Sequence, residues 1–236
     1  MIVEIPQLEY MCPACGNYFY NSGVRSFSIF GSIRYSDGVS KTDYNPFWVS
    51  QCPKCKQYVA NEHLFRLPFP ISVDFGLDAP KFRRPYTVKA NEKYGRVDCF
   101  EGGNRKAIVE KIIAQGLYFP ITASEKSRRS NKLFLYRELW HEYNMHRDEI
   151  DDAVYCNVCR ELIEMLADSS GERFRLTLAE LYRNVGEFEK CLAILDELNL
   201  EKERRDAVER IRSEAMKKNK LTVVIEDTRE GASYFG

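Results

Sequence analysis

Histidine is scarce in this chain, with three in 236 residues, and no local Ser/His/Asp or Cys/His pattern accompanies them. Nothing along the sequence therefore signals nucleophilic catalysis. Both phosphate-loop patterns are absent too: Gly102-Gly103 stands outside any G-x-x-x-x-G-K-[ST] or G-x-G-x-x-G frame, which removes the nucleotide-cradling loop. No stretch reaches the roughly 18 consecutive apolar residues of a spanning helix. Met1–Pro6 has neither a basic n-region nor an apolar h-region, so no leader is expected. These absences point to a soluble cytoplasmic protein, not an enzyme, with no membrane partner.

Net charge is also lacking, at 35 Lys+Arg against 35 Asp+Glu, but the two signs are unevenly spread. Residues 81–132 hold thirteen basic against five acidic side chains, and residues 138–236 hold fifteen against twenty-three. Mutual neutralisation within the fold accounts for such a pattern. A basic patch for an anionic partner is the other reading. The cluster Phe82-Arg83-Arg84-Pro85-Tyr86 and the pair Arg128-Arg129 are then the candidate anion or nucleic-acid contacts, because basic and aromatic residues together suit a single strand.

What the chain does have is cysteine, eight in all. Four form two C-P-x-C knuckles, Cys12-Pro13-Ala14-Cys15 and Cys52-Pro53-Lys54-Cys55. Two thiolate pairs supply the four soft ligands of a tetrahedral metal. Cys12, Cys15, Cys52 and Cys55 are thus the expected ligands of one structural Zn2+. A dithiol redox pair and a rubredoxin-like iron are the chemical rivals. Proline presets φ in each turn, and Gly16 accepts a positive φ at the exit of the first. Lys56 stands at the equivalent place in the second, where left-handed backbone costs about 1 kcal/mol.

Thirty-six residues separate Cys15 from Cys52. Val24, Phe27, Ile29, Ile33 and Tyr35 read as strands, Ser36-Asp37-Gly38 as a turn, and Phe47-Trp48-Val49 as a strand entering the second knuckle. The expectation is a small sheet clamped by the metal. Prolines 68, 70, 80 and 85 then impose an extended connecting segment. After Asn104, a candidate N-cap, a helix runs to Gly116. From about residue 130 to 219 apolar residues recur at helical spacing in five runs, and Lys220–Ile225 reads as a terminal strand.

The expected fold class is α+β. A zinc-ribbon-like β domain (1–67) and a connecting segment (68–103) precede a tetratricopeptide-like helical domain (104–219, repeat-like at 174–198) and a terminal strand and tail (220–236). Leu178-Ala179, Tyr182, Gly186, Phe188, Cys191 and Leu195 occupy the small, aromatic and glycine positions of such a repeat. Taken with the knuckles, Val24-Arg25-Ser26, Ser36-Asp37-Gly38, Asn45-Pro46 and Trp140-x-x-x-Asn144, the chain resembles a group of uncharacterised bacterial proteins. These join a long-insert zinc ribbon to a degenerate tetratricopeptide-like tail. The resemblance implies an interaction protein, with protein partners expected ahead of nucleic acid, and it implies no activity.

Two constellations fail on spacing. Cys156 and Cys159 sit at i and i+3 of an apolar helix, where core packing is the ordinary role. Together with Cys99 and Cys191 they would have to assemble a second site from scattered elements. His141-Glu142 opens a metalloprotease-like helix, but the required second histidine position holds Met145.

Overall fold

The computed structural model describes residues 2–4, 8–21, 24–27, 32–41, 48–66, 96–97, 105–198 and 202–228. In chain order the strands are β1 (Ile2–Glu4), β2 (Leu8–Met11), β3 (Tyr18–Asn21), β4 (Val24–Phe27), β5 (Ile33–Tyr35), β6 (Ser40–Lys41), β7 (Val49–Gln51), β8 (Tyr58–Ala60), β9 (Phe65–Arg66), β10 (Arg96–Val97), β11 (Leu117–Tyr118) and β12 (Val224–Asp227). The helices are α1 (Arg105–Gln115), α2 (Glu125–Met145), α3 (Asp152–Leu166), α4 (Glu172–Val185), α5 (Phe188–Asp196) and α6 (Lys202–Met216). The class is α+β. Among the described residues no helix is long and apolar enough to cross a membrane.

The chain divides into two compact units, each discontinuous in sequence. Met1–Ser28 and Pro46–Asn131 form the first, and Ile29–Asn45 and Lys132–Gly236 the second. In the first, β2 pairs with β3 and β7 with β8, both antiparallel, and each hairpin carries one knuckle at its turn. The two hairpins repeat at an offset of 40: Met11 faces Tyr18 as Gln51 faces Tyr58. Alternation places Phe19 and Val59 inward, where they share a buried cluster with Cys12, Cys52 and Leu64. β9 extends the first hairpin through Met11↔Phe65, and β11 joins the second in parallel through Leu117↔Tyr58.

In the second unit β5 and β6 form a short hairpin, and β12 adds to it through Val224↔Tyr35 and Asp227↔Ile33. The insert's Ile33–Lys41 hairpin therefore groups with the helices and not with the knuckles. Its polar turn supplies the reason, because Ser36 and Asp37 are buried and find their partners on α2 and α4. The expected terminal strand at 220–225 begins later, at Val224. The preceding carbonyls are already engaged: Lys220 O accepts from Asn184 Nδ2 (2.7 Å), and Leu221 O from Arg183 Nη2 (2.9 Å).

Helix ends follow their caps. Ser124 Oγ accepts from Ser127 N–H at the start of α2, and Asp151 Oδ1 accepts from Ala153 and Val154 N–H at the start of α3. α4 ends at Gly186 with φ +88°. The N–H of Glu187 returns to Tyr182 O and that of Gly186 to Arg183 O, the bond pair of a Schellman stop. The chain then reverses into α5. Ala179, Cys191, Leu195, Ile211 and Ala215 close a core shared by α4, α5 and α6. Asn104, Arg83, Arg84 and Cys99 lie outside the described residues.

Candidate metal centre

Each knuckle is built by the same two backbone bonds. In the first, Cys12 N–H donates to Asn17 O (2.9 Å) and Gly16 N–H to Cys12 O (2.8 Å). In the second, Cys52 N–H donates to Gln57 O (2.9 Å) and Lys56 N–H to Cys52 O (3.0 Å). The matching exit residues share the left-handed conformation, with φ +68° at Gly16 and +60° at Lys56. Lys56 is thus held where a side chain is disfavoured, as the equivalence to Gly16 anticipates.

The four Sγ atoms of Cys12, Cys15, Cys52 and Cys55 lie within 4.8 Å of one another. Two of the separations cross between knuckles, Cys15–Cys52 at 3.7 Å and Cys12–Cys55 at 3.9 Å. A tetrahedron with metal–sulfur bonds of about 2.3 Å has sulfur–sulfur edges of about 3.8 Å, so the spacing fits a four-coordinate ion. Cys12 and Cys52 are buried, and Cys15 is exposed. Burial pushes the Cys12 thiol up to about 12 and raises Cys52 as well. At Cys15 burial also acts upward, but the Asn17 amide and the three neighbouring thiols hold it below its ordinary value. Metal binding must displace these protons. Behind the site, Tyr118 packs on the same cluster and its Oη donates to Pro13 O (3.3 Å).

The other described cysteines do not join this group. Cys159 and Cys191 are buried, with thiols pushed up to about 12 by burial, and Cys156 is half-buried. Among the described residues the knuckle cysteines form the one group arranged for a metal. Arg128 is turned inward on its own loop: Nε and Nη2 donate to Ala123 O and Pro120 O, and the guanidinium lies 5.3 Å from the Phe119 ring centre. Arg129 is exposed.

Two polar groupings escape a sequence reading. In the first unit, Ser127 Oγ donates to Glu62 Oε1 (2.8 Å) and lies 3.1 Å from His63 Nε2, and Asn131 Nδ2 also donates to Glu62. A triad carboxylate orients its imidazole from Nδ1. Here Glu62 meets the same nitrogen as the serine, at 3.4 Å, and itself accepts the hydroxyl's hydrogen bond, so the group anchors the start of α2. In the second unit, His141 Nδ1 meets Asp37 Oδ2 at 2.7 Å, and Asn144 Nδ2 donates to the same oxygen at 3.1 Å. His141 therefore faces a carboxylate in the core, in keeping with the failed metalloprotease spacing. Ser36 Oγ donates to Glu180 Oε1 (2.5 Å), and Arg183 Nε donates to Glu180 Oε2 (2.8 Å). Glu180 and Arg183 are both fully buried. Burial raises the Glu180 carboxyl, and the Arg183 guanidinium opposes that rise. In sequence Ser36-Asp37-Gly38 reads as a turn and His141 as a failed metal ligand, and nothing local in either stretch signals their pairing.

Compared with known proteins, the chain matches no protein-family profile, no curated protein and no solved structure.

Proposed function

We propose that Cys12, Cys15, Cys52 and Cys55 hold one structural Zn2+, and that the protein is a non-catalytic protein–protein interaction platform or adaptor. The convergence of the four sulfurs carries the reading. Four thiolates complete a tetrahedral shell and leave no position for a reacting water. The first unit has a small core, and a bound metal would contribute much of its folding energy. The α4–α5 hairpin, with Ala179 buried and Gly186 in its turn, supports a tetratricopeptide-like tail.

Elemental analysis of the purified chain should find about one zinc per chain in a colourless preparation. A red protein would assign iron, and a stable metal-free protein would overturn the site. Crosslinked capture from lysate should recover a specific protein partner that a helical-unit variant loses, and recovery of none under several conditions would overturn the platform. The basic segment 81–132 favours a second reading, a nucleic-acid-binding ribbon. Arg129, exposed on α2, supports it, whereas Arg128 is committed to its own loop. Titration with single- and double-stranded DNA and RNA tests it, since binding must weaken steeply with salt.

A further inference from the structure

We propose that Asp37, which is not a ligand, sets the metal affinity of the four-cysteine site from within the helical unit. The inference rests on the metal reading above and adds a regulation to it: zinc loading and docking of the Ile33–Lys41 hairpin are coupled.

The chain makes the coupling in two places. The hairpin lies in the insert between the knuckles, so the path from Cys15 to Cys52 runs through the second unit. Docking brings the hairpin's ends together, Ile33 facing Lys41, and shortens the effective loop between the two cysteine pairs. Because closure entropy depends only logarithmically on length, this route changes affinity by less than about twofold.

The second route is a helix. α2 is one element from Glu125 to Met145, and the unit boundary at 131/132 falls inside it. Its first turns are tied by Ser127 and Asn131 to Glu62, the second residue past β8, the strand that leaves the second knuckle. Its last turns carry His141 and Asn144, which hold Asp37. Helix formation is cooperative over such a length. Order gained at the Glu62 end therefore favours order at the Asp37 end, and the reverse holds by linkage. Asp37 is fully buried, with Oδ1 accepting Val39 N–H (3.0 Å) and Oδ2 held by His141 and Asn144. Removing it frees both the turn and the helix face at once.

The test is zinc affinity of the full chain, measured by competition with a chromophoric chelator, with hydrogen exchange at residues 33–41 followed in parallel. Asp37→Ala should weaken zinc binding by about 5- to 150-fold, the usual range of site-to-site coupling. Thr228→Val is the milder variant, because Thr228 Oγ1 accepts from Ser32 N–H (2.8 Å) at the hairpin's edge. It should shift affinity in the same direction by less, and it serves if Asp37→Ala does not fold. Chelating zinc from the wild type should in turn lower protection at 33–41. Zinc affinity within twofold of wild type, in a variant that has lost that protection, overturns the coupling and leaves the metal site standing. A wild-type chain that takes no zinc overturns the site itself, and the coupling with it.

Discussion

The imidazole of His141 lies 2.7 Å from the carboxylate of Asp37, 104 positions away in sequence, and both groups are buried. The contact fixes a turn that looks solvent-directed in sequence to the last turns of α2. His141→Phe keeps the ring volume but withdraws a donor from a buried carboxylate that retains Asn144 Nδ2 on Oδ2 and Val39 N–H on Oδ1. A hydrogen bond to a charged group contributes about 1.5–3 kcal/mol. Chemical denaturation should show a loss in that range, with the change seen in the helical signal.

Arg183→Met should cost more. The guanidinium pairs with Glu180, and it also donates to Asn219 O and Leu221 O. The variant leaves a buried carboxylate with Ser36 as its remaining donor and orphans two carbonyls, a change worth about 3–5 kcal/mol. Arg212→Met is the control. Its partner Asp196 is largely exposed, and such a surface pair contributes about 0–1 kcal/mol. Equal losses in the two variants would contradict the buried network.

The two knuckle exits give opposite expectations. Gly16 has φ +68° and open space where a Cβ would sit, so Gly16→Ala tests backbone strain alone and should destabilise by about 1 kcal/mol. Lys56 already bears that strain at φ +60°. Lys56→Gly should relieve it while adding unfolded-state entropy of about 0.5–1 kcal/mol, for a net change close to zero in the metal-free chain. In the zinc-loaded chain the variant also loses a cation one residue from Cys55 in sequence. Denaturation with and without zinc separates these contributions. A large loss for Lys56→Gly without metal would mean that the side chain has a packing role.

Local chemistry was legible in the sequence, and distant pairing was not. The knuckles announce themselves because thiolates at that spacing have few other uses, and the positive φ at Lys56 follows from setting one knuckle over the other. The 40-residue repeat extends to Tyr18 and Tyr58, a further signal that composition alone does not raise. The five helices from α2 onward follow their apolar periodicity, and Gly186 stops α4 as its backbone freedom predicts. The placement of Ser36 and Asp37 was hidden, because Ser-Asp-Gly is the composition of an exposed turn. Only the fold reveals that Glu180, 144 residues from Ser36, and His141 wait for them. The same distance effect hid Glu62, His63 and Ser127.

Glu62 supplies a pH dependence. Hydrogen bonds from Asn131 and Ser127 hold its carboxyl below the ordinary glutamate value, and the neighbouring His63 acts in the same sense. A carboxyl depressed in the folded state contributes stability that is present above its unfolded pKa. That contribution is lost as pH falls through the lower, folded value. Between neutrality and the ordinary carboxylate range it should stay constant, and it should decline only in the more acid region. Glu62→Gln keeps an acceptor for Ser127 and Asn131 but cannot titrate. Denaturation midpoints across the acid range should therefore fall less steeply for the variant than for the wild type, and parallel curves would show that the anchor at the start of α2 does not depend on the charge of Glu62.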